Sequence, residues 1–539
     1  MESQLQAFID QLAAEIEPIE KALHEYYWEA SLTGSDEATQ KVAEFETQYR
    51  LIFSDGTRFM RLKAFQESNQ IITPQLRRQL QLLILQFTSH QLPPEMIEDL
   101  VKRQTAIEQV FNTHRAVVDG VEMTDNEILE VLKGESRSAR RRAVWEGSKQ
   151  VGRKVATDII ALAHQRNEAA RTVGFDDYYQ MSLKLSEVDE DELFHIVNRL
   201  ESLTNEPFRR VKGNLDRELA ERFGIAAENL RPWHYADPFF QESPDTGEVN
   251  FDAIFADRDL VAVTRDFFKG LGLSIDDLIE KSDLFERPQK DQHAFCIHID
   301  RKGDVRVLAN TKPSRRWMET LLHEYGHAVY DKFLDASLPF LLRTPSHLIT
   351  TEAIAMLMGR LARNAAWLDK IFHLPFEQKA AIAAKAVESF RFRMLIFVRW
   401  AMVMIHFERA LYRNPDGDVN TLWWSLVERF QFVTRPEGRN EPDWAAKIHI
   451  AAAPVYYHNY LLGEMVASQL QHTIDSQVLN GQGVEVTGYI DSPLVGDYLR
   501  EHVFEPGASV HWGELIKYTT GELLNPQHLV DQLHIQDEV

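Results

Sequence analysis

A chain of 539 residues, 44% hydrophobic and 26% charged, has the composition of an ordinary globular protein with ample material for a core. Its formal net charge of -23 excludes nucleic acid or an anionic membrane as the main partner, because both demand a basic surface. The single cysteine, Cys296, excludes an internal disulfide and points to a reducing compartment. The opening residues, Met1 to Gln6, lack the basic start and apolar run of a secretory leader, and no segment has the uninterrupted apolar length of a membrane span. A cytoplasmic protein is expected.

From residue 1 to about 290 the apolar residues recur three and four apart, with charged residues between them, which is the helical period. Leu5, Ile9, Leu12 and Ile16 form one stripe, Leu80, Leu83 and Leu85 another, and Leu193, Ile196, Val197 and Leu200 a third. Thr73 and Pro74 read as a helix N-cap followed by proline at the first helical position, and Leu92-Pro93-Pro94 as a similar break. No linker, low-complexity tract or repeat divides the chain, so residues 1–539 are expected to form a single unit, with residues 1–115 as a helical layer covering a cleft.

The rhythm breaks at His293–Ile299 and Val305–Leu308, two short apolar runs around the turn Asp300-Arg301-Lys302-Gly303-Asp304. A hairpin so small must pack on something larger. Its unpaired edge suits the addition of an extended peptide, and a purely structural brace is the equal alternative. Helices are expected from there to the end, broken at Pro454, Pro493, Pro506 and Pro526.

Within that region lies Leu321-Leu322-His323-Glu324-Tyr325-Gly326-His327-Ala328-Val329. On a helix, His323 and His327 share a face one turn apart, the reach two imidazoles need to hold one zinc ion. Glu324 then projects beside the metal, where it can take a proton from a bound water. Three ionisable side chains inside an apolar run are costly to bury unless a metal compensates them. The plainer reading of the motif alone is a surface helix with two incidental histidines. Zinc at a catalytic site takes three protein ligands, and Glu352, 25 residues after His327 in an apolar stretch, is the third. Asp331 and Asp335 are rivals for that place, and Glu319, one turn before His323, is placed to accept an imidazole N–H.

HEYGH followed at this distance by Thr351-Glu352-Ala353 resembles the gluzincin peptidases, which include angiotensin-converting enzyme and the thimet-type and F-type oligopeptidases. Arg166-Asn167-Glu168-Ala169-Ala170, with Gly174-Phe175 and Tyr178, is similar to a helix common to these groups. Leu338-Pro339 and Arg343 are similar to the converting-enzyme loop before the third ligand, and Glu319-Thr320 to the oligopeptidases. The resemblance implies one zinc ion per chain and a mainly α, two-lobed ellipsoid. A deep central channel would have zinc at its floor and the small hairpin nearby, with residues 290–470 as the zinc-site and substrate-binding core. His293 and Ala294 stand where the converting enzyme pairs a strand with the substrate backbone. Lys447 and His449 match its substrate-binding Lys-x-His pair, and Tyr457 and Tyr460 its two tyrosines, one for the C-terminal carboxylate and one, with His449, for the oxyanion. The interval from His449 is one residue longer here, which leaves Tyr456 as a competitor for Tyr457. Asn459 stands where that family has a chloride-linked arginine, and Met356 where it has an aspartate behind the zinc ligands, a need that Glu319 can fill.

The activity implied is hydrolysis of short peptides by a peptidyl-dipeptidase or an oligopeptidase, with Glu324 as general base. A metallocarboxypeptidase releasing single C-terminal residues shares HExxH and a distant glutamate. The alternative of another class is a non-catalytic helical scaffold or peptide-binding protein, which would lack chelator-sensitive hydrolysis.

Overall fold

The structure, a computed structural model, describes residues 1–242 and 251–533. It is mainly helical, and the strands among the described residues make two antiparallel hairpins. No helix among the described residues is long and apolar enough to cross a membrane. The chain divides into two compact units: Met1–Gln91, Gly247–Val387 and Leu462–Leu529 make the first, and Leu92–Thr246, Glu388–Leu461 and Val530–Val539 the second.

In the first unit, Leu5, Ile9, Leu12 and Ile16 lie buried along the helix Glu2–Thr33 and pack on Leu62, Phe65, Leu80, Leu83 and Phe87. Leu85, expected in the same stripe, is only half-buried. Thr73 occupies the N-cap of helix Pro74–Ser89, with Pro74 at its first position, but the Thr73 side chain makes no capping bond. The carboxylate of Glu2 instead accepts the backbone N–H groups of Ile72 and Thr73.

The second unit contains a hairpin that the helical period over this region does not show: β1 (Ala116–Val118) and β2 (Val121–Met123). Its turn is Asp119-Gly120, both at positive φ (54° and 80°), the conformation that two-residue hairpin turns demand and that glycine accepts without penalty. The stripe Leu193, Ile196, Val197 and Leu200 is buried along the helix Glu190–Phe223.

The other hairpin, in the first unit, is the expected one. β3 (Phe295–His298) pairs antiparallel with β4 (Val305–Leu308), Phe295 opposite Leu308 and His298 opposite Val305. β3 begins two residues later than the apolar pattern suggests, so His293 and Ala294 lie in the turn leading into it, where Asp291 accepts the His293 N–H. The helix Glu2–Thr33 braces this hairpin along its length. Arg301 in the β3–β4 turn donates to both oxygens of buried Glu20, His24 bonds the His298 carbonyl, and Trp28 meets Phe295 edge-on. Pro493 opens the helix Pro493–Leu499, Pro526 precedes Gln527–Leu533, and Pro454 sits in the turn between His449–Ala452 and Tyr457–Thr473, as the breaks require.

Candidate metal centre

The HEYGH segment lies on the helix Arg315–Lys332, started by Ser314, whose hydroxyl accepts the Trp317 N–H. Leu321, Leu322, Tyr325, Ala328 and Val329 are fully buried, so apolar packing surrounds the helix and the ionisable residues enter the interior with it. Glu352 lies on the helix Leu348–Gly359, which runs antiparallel to the first: His327 faces Thr351, Gly326 faces Ala355, and His323 faces Gly359. The approach is close because position 326 has no side chain. A Cβ there would stand 2.8 Å from the Ala355 Cα and 3.2 Å from the Ile354 carbonyl oxygen.

That crossing brings His323, His327 and Glu352 together, each offering one ligand atom within 4.8 Å of the others. The two Nε2 atoms are 3.3 Å apart, and the His323 Nε2 is 3.8 Å from Glu352 Oε2. His327 Nδ1 lies 2.7 Å from the Thr351 hydroxyl, a hydrogen bond that fixes the ring's orientation and turns Nε2 toward its neighbours. Burial, then the His323 charge, holds the His327 imidazole down to about 3, and burial likewise lowers His323. Burial thus disfavours the charged form of both rings, and a metal ligand must be neutral. Burial pushes the Glu352 carboxyl up to about 7, helped by Glu464, and the Glu324 carboxyl up to about 8, helped by Glu352. Two neutral imidazoles and two acidic groups that resent their surroundings are the setting a dication would relieve.

Glu324 is 9% exposed, and the backbone N–H of Cys296 in β3 stands near its carboxyl and favours the charged form. The hairpin packs on the motif helix, and on its outward edge the His298 carbonyl is engaged by His24. Of the rival ligands, Asp331 lies 3.8 Å from the His298 ring and Asp335 accepts from Ser337. Glu319 takes Arg315 and Arg363 on one oxygen, at 2.6 and 3.3 Å, and its negative charge acts on His323.

Sequence reasoning missed two contributors here. Thr351 was quoted only as part of a motif, and its hydroxyl fixes a ligand ring. Glu464, which pairs with Arg360, adds a negative charge felt by both His323 and Glu352, and no local pattern marks it. Thr351→Val keeps the side-chain shape and removes the hydroxyl that holds the His327 ring. It is expected to weaken zinc binding by about 10- to 100-fold, measured by competition with a chromogenic chelator. Unchanged affinity would mean that Thr351 does not orient His327.

The second unit holds its own set. The Lys447 ammonium donates to Gln241 Oε1 at 2.7 Å and stands 5.3, 5.6 and 5.8 Å from the ring centres of Trp400, Phe239 and Tyr457. Burial brings it down to about 8. The His449 ring is 5.4 Å from that of Tyr457, and burial together with Lys447 lowers it to about 4. Tyr457 is buried against Trp400, with ring centres 5.9 Å apart, whereas Tyr456 and Tyr460 are half-buried, their ring centres 5.0 Å apart. Lys447 and His449 thus both lie near the ring of Tyr457. Gln241, which completes the lysine's surroundings, had no sequence signal.

HExxH on one helix with a glutamate from the next defines the two-histidine, one-carboxylate type of metal centre. Residues 1–231 and 238–530 match the angiotensin-converting enzyme family of peptidases, and the chain belongs to that family. It is 24% identical to angiotensin-converting enzyme of Rattus norvegicus over 436 residues, which are 74% of this chain and 32% of that protein. The identity is 23% to the same enzyme of Mus musculus over 435 residues (74% and 32%) and 23% to that of Oryctolagus cuniculus over 446 (76% and 33%). The chain spans about a third of the length of these curated relatives. Peptidases of this family depend on zinc, and two imidazoles with one carboxylate, converging and with the second nitrogen of His327 committed to Thr351, fit that ion.

Proposed function

We propose that this chain is a zinc metallopeptidase that hydrolyses short peptides, acting as a peptidyl-dipeptidase that releases dipeptides from a free C-terminus. The observation that carries the reading is the convergence of His323, His327 and Glu352, with Glu324 buried next to His323 on the helix of the two histidines. His323, His327 and Glu352 would hold the ion, which when bound supplies polarisation of the scissile carbonyl and acidification of a water. Glu324 accepts a proton from the attacking water and delivers it to the leaving amine nitrogen. The nearby Cys296 N–H favours the ionised form of Glu324 that takes this proton. Carried over from the family resemblance, Tyr460 and His449 serve the developing oxyanion. Lys447 and Tyr457 serve the substrate carboxylate, with His293 and Ala294 for its backbone. The Lys447 ammonium, already held by Gln241 and three rings, supports the carboxylate role.

The test is a mass-spectrometric digest of matched peptides with free and amidated C-termini, with and without a zinc chelator. The expected products are dipeptides from the free peptides, with amidation suppressing cleavage and the chelator abolishing it until zinc is restored. Equal cleavage of both forms would make the chain an oligopeptidase, and release of single residues a carboxypeptidase. Absence of chelator-sensitive hydrolysis would sink the enzyme reading and leave a peptide-binding scaffold.

A further inference from the structure

Between His449 and Tyr457, in the second unit, the backbone is held in a shape it would not choose. Val455 has φ of 55°, the left-handed region, where a β-branched side chain collides with its own main chain. Such a conformation persists only where the surroundings enforce it. Here the enforcing groups come from two other helices. The Val455 N–H donates to Glu408 Oε1 at 2.8 Å, from the helix Phe376–Arg413. At the other end of the segment Arg166, on the helix Gln150–Thr172, donates to the carbonyl oxygens of Ile450 and Ala451, and it also donates to the Tyr412 hydroxyl at 3.0 Å. Tyr412 lies one turn beyond Glu408, and its own carbonyl is taken by Asn167 at 2.7 Å. Glu408, Arg166 and Tyr412 are 1%, 4% and 1% exposed. Burial pushes the Glu408 carboxyl up to about 8, while the Val455 N–H and then the Arg166 charge favour its ionised form. So many buried polar groups converging on one short turn are expensive unless the turn's shape matters.

We propose that Glu408 and Arg166 form a clamp on residues 450–455 that fixes the strained turn at Val455, and that they are thereby positioning residues for His449 and for the tyrosines that follow it. The functional half of this inference rests on the roles proposed above for His449, Tyr457 and Tyr460. Neither clamp residue touches substrate. Each acts through the main chain, one jaw on two carbonyls and the other on one N–H. The clamp also gives Arg166 and Asn167, singled out in the sequence as part of a shared helix, a physical task.

The test compares Glu408→Leu, Glu408→Gln and the double variant Glu408→Leu/Val455→Gly by two readouts on the full chain. These are steady-state hydrolysis of a short free peptide and deuterium uptake by peptides spanning residues 449–457, with zinc content as a control. Glu408→Leu removes the acceptor. Exchange over 449–457 is expected to rise by about tenfold, and kcat/KM to fall by about tenfold or more, with zinc content unchanged. Glu408→Gln retains an oxygen acceptor and should keep both readouts within about threefold of the parent. Glycine at 455 adopts the left-handed turn without enforcement, so the double variant should recover about threefold or more of the lost kcat/KM. Should Glu408→Leu fail to fold, Arg166→Lys tests the other jaw by the same readouts, because an ammonium cannot reproduce the fork that spans two carbonyls and a phenol. Exchange over 449–457 that does not change overturns the clamp. Faster exchange with unaltered kcat/KM overturns the positioning role. Faster exchange in a chain whose parent hydrolyses no peptide upholds the clamp and rejects the peptidase reading instead.

Discussion

Glu324→Gln is expected to bind zinc as the parent does and to lose about a hundred- to ten-thousandfold in turnover, the contribution of a positioned general base. The substitution is nearly isosteric, and the three candidate ligand side chains are untouched. What disappears is the group able to take a proton. No loss of thermal stability is expected, because the carboxyl replaced is 9% exposed and sits beside a second acidic group, Glu352, so the interior disfavours its charged form. Peptide-release kinetics alongside elemental analysis of the purified variant make the measurement. Turnover within tenfold of the parent would remove Glu324 from the role of base, and lost zinc would mean that it helps hold the ion.

The second large effect is expected at a residue with no chemistry of its own. Gly326→Ala places a methyl group 2.8 Å from the Ala355 Cα and 3.2 Å from both the Ala355 nitrogen and the Ile354 carbonyl oxygen. These are backbone atoms within a helix, so no side-chain rotation relieves the collision and the two helices must move apart. Overpacking of this kind costs about 1 to 3 kcal/mol of stability. One helix carries His323 and His327 and the other carries Glu352, so separation also spoils the convergence, and zinc affinity should fall by about tenfold or more. Ala355→Gly cannot rescue the variant, because the obstructing atoms belong to the main chain. Thermal melts and chelator competition on the single and double variants test this, and parent-like zinc affinity in Gly326→Ala would show that the crossing tolerates the extra volume.

The parts legible in the sequence were those written in short-range pattern. The helical stripes, the proline breaks and the hairpin 295–308 follow from local periodicity and turn residues. The spacing of His323, Glu324 and His327 is likewise local, and Glu352 was found because a lone acid in an apolar stretch asks for a partner. The first hairpin was missed although Asp119-Gly120 carries a strong turn signal, because strands of three residues leave too little alternation to interrupt a helical reading. Leu85 was counted as core from spacing alone, and it lies half-buried. Thr351, Glu464, Gln241 and the Arg166 and Glu408 clamp were invisible for a different reason. Their partners lie across helix packings, as far as 285 residues away for Arg166 and Ala451, and no local pattern encodes which side chains a crossing will bring together. Gly326 was in plain view inside the motif, but the demand for a missing Cβ comes from the neighbouring helix.

The contact between β3 and Glu324 has a practical side. The main-chain N–H that stands near this carboxyl and favours its charge belongs to Cys296, the only cysteine among the 539 residues. Protein grown on isotope-labelled cysteine would therefore carry a single labelled amide, and its nuclear magnetic resonance spectrum would contain one backbone signal, arising from the N–H beside Glu324. Its chemical shift would follow the charge of that carboxyl as pH, metal or peptide is varied, so the proton the reaction depends on would have a native spectroscopic reporter requiring no substitution.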